Sequence, residues 1–235
     1  MNLELKIIEV KKLLQSAQEN YVSIVFASSF SAEDMVLTDL IGRHYSGIRI
    51  FTLDTGRLPE ETYSLIKKVE DSYHIHIQLY FPDTSAVEKY VVQNGLNGFY
   101  DSVDARNACC YIRKVEPLKR ALSAQNAWIT GLRRDQATTR KNLTEVEFDS
   151  ENGLQKINPL LDWNMPDIWD YLAKFNVPYN ALYDKGYASI GCAPCTRAIA
   201  VGEDIRSGRW WWENPETKEC GLHVKSPHIK KIRKL

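Results

Sequence analysis

Residues 21–45 read YVSIVFASSFSAEDMVLTDLIGRHY, and this stretch decides the fold class. Its first part is a β-branched and aromatic run that ends in serines, a pattern typical of a buried strand. Its second part, from Ser31 onward, has the hydrophobic spacing of a helix. A strand, a turn and a helix in this order form the repeating unit of an α/β protein with a parallel sheet.

The same cycle recurs along the chain. Predicted strands that precede helical patterns include GIRIFTLDTG (47–56) and IHIQLYF (75–81), and AWITGLRR (127–134) is a fourth strand. Two more short strands and a helix are predicted beyond residue 140, in EVEFDS (145–150), LQKINPL (154–160) and MPDIWDYLAKFN (165–176). We predict a doubly wound, mostly parallel α/β sheet. We expect one compact domain over 1–209 and a flexible C-terminal arm over 210–235.

Composition narrows the class of protein. The formal net charge is zero, which argues against a general binder of nucleic acid. The N-terminal 21 residues form an amphipathic helical pattern without the apolar core of a signal peptide, and no stretch is long and apolar enough to span a membrane. We therefore expect a cytoplasmic protein, in which cysteines do not form a disulfide framework.

Polar turns follow three of the predicted strands. Ser28, Ser29 and Ser31 lie where a helix begins, so hydroxyl and backbone N–H groups there suit an anion. Serines also cap helices with nothing bound, and the turn lacks the glycines of a Walker-type loop, so this signal is weak alone. LDTG (53–56) is an ordinary turn unless a nucleotide lies across both turns. Basic residues in GLRRDQ (131–136) follow the fourth strand.

The five cysteines carry the strongest chemical signal. Four of them form two close pairs, Cys109 with Cys110 and Cys192 with Cys195, and Cys220 stands alone near the C-terminus. This pattern suggests four metal ligands and one reactive thiol, although free cysteines can also act as small buried apolar residues. Adjacent cysteines reach two irons of a cubane more easily than one ion, which favours a [4Fe–4S] cluster over zinc. Zinc remains a serious alternative on spacing alone.

Seven segments together resemble a known family. In chain order they are SFSAEDMVL, LDTGRLPEETY, CCYIRKVEPL, GLRRDQ, GCAPCTRA, GRWWWE and ECGLH. They resemble the assimilatory adenylyl-sulfate reductases, relatives of the phosphoadenylyl-sulfate reductases within the ATP-pyrophosphatase-like fold. The match extends from about Ser28 to His223, and the cysteine segments are its most selective parts.

The resemblance implies a role for each matching residue. Cys109, Cys110, Cys192 and Cys195 match the ligands of one [4Fe–4S] cluster, and Cys220 matches the catalytic nucleophile. Residues that match substrate-binding positions come from both nucleotide-binding turns, from the helix after the cysteine pair, from the GLRR turn and from the C-terminal segments: Ser29, Phe30, Ser31, Leu53, Asp54, Gly56, Lys114, Arg133, Arg134, Arg206, Arg209 and His223. Which arginine of the GLRR turn contacts substrate stays open.

The implied reaction is the reduction of adenosine 5'-phosphosulfate (APS) to sulfite and AMP, in sulfate assimilation. Cations offset the repulsion between a thiolate and the sulfate oxygens, and attack by Cys220 yields an enzyme S-sulfocysteine. Because the other four cysteines are assigned to metal, the reductant comes from outside the chain, and the family resemblance implies thioredoxin. The expected partners are thus thioredoxin or a similar dithiol and a nucleotide, with no nucleic acid and no membrane; a homo-oligomer stays open.

Three alternatives remain at this point. The first is reduction of phosphoadenylyl sulfate (PAPS), or dual use of APS and PAPS; relatives specific for PAPS typically lack the four cluster cysteines. The second is an ATP-dependent enzyme that thiolates RNA, which predicts a glycine-rich loop and an RNA-binding surface. The third is a non-enzymatic zinc module.

Overall fold

The computed structural model describes residues 2–136 and 143–214. Two units can be distinguished in the chain. The first comprises Met1–Thr52, Glu60–Leu79 and Ala121–Ala181, and the second comprises Leu53–Pro59, Tyr80–Arg120 and Leu182–Leu235, each as far as it is described. The chain passes between the units several times, so neither unit is one continuous segment.

The first unit contains the sheet. In chain order its strands are β1 (Ile24–Ala27), β2 (Arg49–Leu53), β3 (Gln78–Tyr80), β4 (Ala127–Ile129), β5 (Val146–Asp149) and β6 (Leu154–Ile157). Their order in the sheet is β3-β2-β1-β4-β6-β5. β1 is parallel to β2 and β4, and β4 is parallel to β6, whereas β5 and β6 are antiparallel. The predicted mostly parallel sheet is therefore confirmed.

Burial explains why these short runs form strands. The side chains of β4 are all buried, and those of β1 are buried except at Ala27, which is partly exposed. A central parallel strand is covered on both faces, so it consists of consecutive apolar residues rather than alternating ones. The edge strand β5 alternates between exposed and partly exposed side chains, as expected for a strand at the border of a sheet.

Within the described residues, the helices of the first unit are α1 (Leu3–Asn20), α2 (Ala32–His44), α3 (Glu60–Tyr73) and α7 (Met165–Lys174). Their starts carry recognisable caps. The Asn2 side chain accepts hydrogen bonds from the first turn of α1, and Asn164 forms a capping box with Asp167 at the start of α7. The buried carboxylate of Asp39 on α2 accepts hydrogen bonds from Tyr73 on α3 and Tyr171 on α7, so one polar group ties three helices together.

The second unit is mainly helical. It contains α4 (Thr84–Asn94), α5 (Val103–Cys110), a π-helical turn (Tyr111–Val115) and α6 (Glu116–Leu122), whose last two residues belong to the first unit. The described residues of the second unit also contain 3₁₀ turns at Gly98–Tyr100, Tyr183–Lys185 and Ala193–Cys195. The helix after the cysteine pair agrees with the prediction. The helix α5, which ends at that pair, was not predicted. None of the helices in the described ranges is both long and apolar enough to cross a membrane.

Candidate cysteine centre and nucleotide-binding turns

The serine turn in the first unit follows β1 and has an unusual backbone. Phe30 has φ 58° with a fully buried side chain, although this left-handed region is unfavourable for a residue with a bulky side chain. Ser31 occupies the N-cap position of α2, but its side chain makes no capping hydrogen bond. The Ser31 hydroxyl instead lies 2.6 Å from the Ser29 hydroxyl. The simple capping interpretation of this serine is therefore wrong.

Asp34, on the first turn of α2, organises the serine turn. Its Oδ2 accepts hydrogen bonds from the backbone N–H and the hydroxyl of Ser29, both at 2.6 Å. Burial, and next the negative charge of Glu33, raise the pKa of Asp34 to about 7, although the hydrogen bonds from Ser29 act in the opposite direction. The sequence analysis did not single out this carboxyl group.

The GLRR turn follows β4, the neighbour of β1 in the sheet, and contacts the serine turn's helix. A Cβ atom on Gly131 would overlap with Oδ1 of Asp34, so only glycine allows this approach. Gln136 donates a hydrogen bond to the Glu33 carboxylate at 2.7 Å. The two turns thus meet at the carboxyl ends of adjacent parallel strands, where open α/β sheets bind their ligands.

The two arginines of this turn differ in their surroundings. Arg133 is buried, with an ion pair from its Nη1 to Asp135 at 2.7 Å, and its Nε has no hydrogen-bond partner within the described ranges. Arg134 is partly exposed and pairs with Asp162 while donating to the Leu143 carbonyl. Both guanidinium groups are already engaged, so which of them contacts a ligand stays open.

The LDTG turn belongs to the second unit and forms a tight polar loop. Asp54 is buried, and its side chain accepts a hydrogen bond from the Gly56 backbone at 2.8 Å. Gly56 has φ 69°, which glycine adopts without strain. The intervening Thr55 hydroxyl lies 3.2 Å from the Cys192 sulfur, in hydrogen-bonding contact. Leu53, the first residue of the turn, is partly exposed. The turn therefore contacts a predicted metal ligand as well as forming a candidate nucleotide loop.

The four paired cysteines line one cavity of the second unit. The other lining residues are four cations, one aromatic ring and one proline, and the complete lining consists of Arg57, Phe99, Arg106, Cys109, Cys110, Arg113, Lys114, Cys192, Pro194 and Cys195. The two cysteine pairs, which are more than 80 residues apart in the sequence, thus line the same cavity. All four are free thiols.

Two adjacent cysteines and two cations reach the same cavity from one helical segment. Cys109 and Cys110 end α5, and the π turn of Tyr111–Val115 follows at once. Helical residues four apart lie on one face, and Cys109, Cys110, Arg113 and Lys114 all line the cavity. Single π turns inside helices occur frequently at functional sites.

Burial and the neighbouring cations act in opposite directions on the pKa values of two of these thiols. Burial raises the pKa of the Cys109 thiol, and the Arg113 guanidinium acts in the opposite direction. Burial, and next the neighbouring Cys192, raise the pKa of Cys195 to about 12, while Lys114 and Arg209 lower it. The thiols of Cys109 and Cys195 therefore keep their protons when nothing is bound, and a metal would have to displace those protons in order to bind.

The side chains available as ligands bear on the kind of metal that the thiols could bind. Within residues 2–136 and 143–214, no three histidine, cysteine, aspartate or glutamate side chains converge closely enough to hold a single metal ion. All four paired cysteines nevertheless line one cavity. A thiol donor set with compensating cations fits a sulfur-rich cluster whose irons each take a separate cysteine.

Arg209 and Arg206 lie in the segment that packs on the second cysteine pair. Residues Thr196 and Arg209 form an antiparallel bridge, and the Trp210 backbone donates to the Cys195 carbonyl at 3.2 Å. The Arg209 guanidinium stacks on the Trp210 ring at 4.7 Å and donates to Ser189. Arg206 is partly exposed, and its backbone N–H donates to the Asp204 side chain. Of these two predicted substrate ligands, Arg209 is thus fixed beside a cysteine.

Two predicted site residues, Cys220 and His223, lie outside the described residues. Conversely, the sequence analysis missed Thr55, Arg57, Arg106 and Arg113, which contact the cysteines or line their cavity. Arg113 could have been found, because it lies four residues after Cys109, a spacing that places two helical residues on one face. Arg57 and Arg106 carry no comparable signal in the sequence.

The chain is similar in sequence to known proteins. Residues 23–198 match the family model of the phosphoadenosine phosphosulfate reductase domain. The chain is 60% identical to the adenosine 5'-phosphosulfate reductase of Allochromatium vinosum over 212 residues, covering 90% of this chain and 83% of that protein. It is 51% identical to the enzyme of the same name from Burkholderia cepacia over 222 residues, covering 94% and 89%.

Solved structures agree in fold. The phosphoadenylyl-sulfate reductase from Candida auris, solved as a phosphate complex, has a TM-score of 0.70 and 27% identity, over 81% of this chain and 90% of that one. The FMN adenylyltransferase of Candida glabrata, in complex with FMN and an ATP analogue, has a TM-score of 0.58 at 17% identity, over 98% and 82%. The second similarity is one of fold alone.

Proposed function

Because this chain belongs to the phosphoadenosine phosphosulfate reductase domain family, we propose that it reduces adenosine 5'-phosphosulfate to sulfite and AMP in sulfate assimilation. The observation that carries the proposal is the single cavity lined by Cys109, Cys110, Cys192 and Cys195 in a chain whose relatives with 50–60% identity are named for this activity. The remaining cysteine, Cys220, is the proposed nucleophile. We also propose the cytoplasm, a reducing compartment, as its location.

The first step is attack by the Cys220 thiolate on the sulfate sulfur of the substrate. The bond from Cys220 sulfur to substrate sulfur forms as the sulfur–oxygen bond to the phosphate breaks, and AMP leaves with the electron pair. The product on the enzyme is S-sulfocysteine. The approach of a thiolate to a sulfate is opposed by like charge, so this step depends on cations that face the oxygens.

The proposed cations of the second unit are Lys114, Arg206 and Arg209. An arginine of the GLRR turn, in the first unit, is proposed as a further cation. Lys114 lines the cysteine cavity, and Arg209 is held in place by the Trp210 ring. Fixed cations need little reorganisation when negative charge moves onto the departing phosphate, and they also favour the thiolate form of a nearby cysteine.

The second step needs an external dithiol, and we propose thioredoxin. A donor thiolate attacks the Cys220 sulfur and expels sulfite, which leaves a mixed disulfide. The donor's second thiolate then attacks the donor's own sulfur in that bond, which releases the Cys220 thiolate and an oxidised donor. Over both steps the substrate sulfur is reduced by two electrons, which the dithiol supplies.

The four paired cysteines would hold one [4Fe–4S] cluster. All four line one cavity, and the adjacency of Cys109 and Cys110 favours separate irons as their targets. Arg57, Arg106, Arg113 and Lys114 line the same cavity and would offset the charge of four thiolates. When bound, the cluster would supply structural cross-linking and a fixed local charge near Lys114. Zinc is the alternative, and metal analysis distinguishes the two.

The nucleotide would be bound by the two polar turns. Ser29, Phe30 and Ser31 present hydroxyl and backbone groups at the start of α2, where the helix terminus favours an anion. Leu53, Asp54 and Gly56 form the second turn, and His223 is proposed to act with the C-terminal segment. The strained backbone at Phe30 supports a functional role for the first turn, since such conformations concentrate at binding sites.

Reduction of PAPS is a second candidate. The phosphoadenylyl-sulfate reductase of Candida auris is similar to this chain over most of its length, and the matching family model carries the same substrate in its name. The test is turnover of APS and of PAPS by the metal-loaded chain with reduced thioredoxin, measured as sulfite and nucleotide products. A higher kcat/KM for APS supports the proposal, and a clear preference for PAPS contradicts the substrate assignment.

A further inference from the structure

Arg106 is a buried arginine at the wall of the cysteine cavity, and the proposed reaction does not use it. It lies on α5, four residues before Cys110, and its side chain is 1% exposed. We propose that Arg106 is a positioning residue that fastens the chain segment leading to Cys220 to the cysteine cavity. This inference rests on the proposed function, in which Cys220 is the nucleophile.

The first observation is a buried ion pair. The Arg106 Nε and Nη2 atoms donate to the two carboxylate oxygens of Glu213 at 2.7 and 2.9 Å, and the Glu213 side chain is 4% exposed. Such a bidentate arginine–carboxylate pair fixes both position and orientation. Because breaking a buried pair leaves an uncompensated charge, Glu213 is held firmly against α5.

The second observation is that the same guanidinium group contacts a predicted metal ligand. Arg106 is hydrogen-bonded to Cys110, and it lines the cavity with all four paired cysteines. One side chain therefore connects the first cysteine pair to Glu213.

The third observation concerns Trp210, whose ring contacts two guanidinium groups. Its ring centroid is 4.8 Å from Arg106 and 4.7 Å from Arg209, and the residue is 1% exposed. Its backbone has φ 42°, an unfavourable conformation that persists only where surrounding contacts enforce it. The backbone N–H of Trp210 also donates to the Cys195 carbonyl. Residues 209–213 are therefore attached to both cysteine pairs.

This attachment limits where the nucleophile can be. Cys220 follows Glu213 by seven residues. Seven residues of fully extended chain span at most about 25 Å, so the fixed end at Glu213 confines Cys220 to that radius regardless of the path between them. An anchored tether raises the frequency with which a reactive group meets its target, and it also restricts the direction of approach.

The chain offers a matched control for the Arg106–Glu213 pair. Arg197 and Glu203 form another bidentate pair in the same unit, with both distances at 2.9 Å, but their side chains are 38% and 34% exposed. Arg197 does not line the cysteine cavity. Glu203→Gln therefore removes an equivalent charge without touching the proposed anchor.

The experiment compares Glu213→Gln, Glu213→Asp and Arg106→Lys with Glu203→Gln in the metal-loaded full chain. Amide hydrogen exchange of peptides covering 209–213 reports the anchor without substrate. Single-turnover formation of the Cys220 adduct from APS, without reductant, reports the reaction. Iron content and AMP affinity are measured on every variant.

We expect exchange in 209–213 to become about ten-fold faster in Glu213→Gln. Adduct formation should become about ten-fold slower, while AMP affinity stays within about two-fold. Arg106→Lys, which keeps the charge but loses the fork, should show the same two changes. Glu213→Asp should recover part of both, and Glu203→Gln should match the wild-type chain.

Three outcomes overturn the inference. One is unchanged exchange in 209–213, and another is faster exchange with a wild-type rate of adduct formation. The third is loss of iron from Glu213→Gln in proportion to its loss of rate, which would assign the pair to holding the metal. If the wild-type chain forms no adduct, the proposed function fails on its own, and the exchange rates still decide whether this pair fastens the segment.

Discussion

The Oδ2 atom of Asp34 lies 2.6 Å from the backbone nitrogen of Ser29, so a buried carboxyl group shapes the turn at the end of β1. This relationship makes the turn's stability depend on the charge of one side chain. It also places a titratable group behind the residues that we propose to bind the nucleotide.

The first prediction concerns pH. The pKa of Asp34 is raised from its ordinary value of 3.8 to about 7, chiefly by burial, so the folded chain keeps a proton that the unfolded chain releases. Asp34 therefore lowers the free energy of unfolding progressively as the pH rises from about 4 to about 7. In Asp34→Asn this part of the dependence should vanish. Urea denaturation of both proteins at several pH values checks it; parallel curves would refute the assignment.

A second prediction tests the approach of the GLRR turn to the serine turn. Gly131→Ala should lower the free energy of unfolding by about 2 kcal/mol and weaken AMP binding, because the new Cβ overlaps with Asp34. Gly47→Ala is the matched control, since the three atoms nearest to its Cβ would all belong to the flexible side chain of Gln18. Equal stability of the two variants in urea denaturation would show that the turns do not require the glycine.

A third prediction concerns the polar group that joins α2, α3 and α7. Asp39→Ala removes the acceptor of the Tyr73 and Tyr171 hydroxyls and of the Arg43 guanidinium, so we expect a loss of about 3 kcal/mol in the free energy of unfolding. Asp71→Ala breaks an exposed pair with Lys67, so we expect a much smaller change in the free energy of unfolding than for Asp39→Ala. A small effect of Asp39→Ala would mean that the network contributes little to stability.

The fourth prediction concerns the metal. Chain purified without oxygen should contain iron and acid-labile sulfide, and Cys110→Ser should lose both because one cavity ligand is gone. Cys220→Ser should keep the wild-type content, since we propose that thiol as the nucleophile and not as a ligand. Zinc without sulfide in the wild-type chain would refute the cluster.

Much of the fold could be predicted because its signals are local. Runs such as IVFA at β1 and AWI at β4 consist of apolar residues that suit only a buried strand, and each of the predicted helices is present. The resemblance to adenylyl-sulfate reductases is also confirmed by the relatives and the family model. Sequence patterns that recur in order over most of a chain are highly selective.

The parts that could not be predicted depend on contacts between distant residues. The π turn after Cys110 requires a shift in backbone hydrogen bonding that no propensity encodes. Arg106 resembles any helical arginine in the sequence, and its role appears only with Glu213, 107 residues later. Likewise, Asp34 resembles an acidic residue in the first turn of a helix until its burial against Gly131 is seen.

The central claim is that Cys220 accepts the sulfonate group from the nucleotide. The most direct measurement is the mass of the tryptic peptide that contains Cys220 after incubation of the metal-loaded chain with APS and no reductant. We expect a mass increase of one SO₃ group on Cys220, with one equivalent of AMP released, and neither in Cys220→Ser. AMP release with unmodified Cys220, or an adduct on one of the other four cysteines, would contradict it.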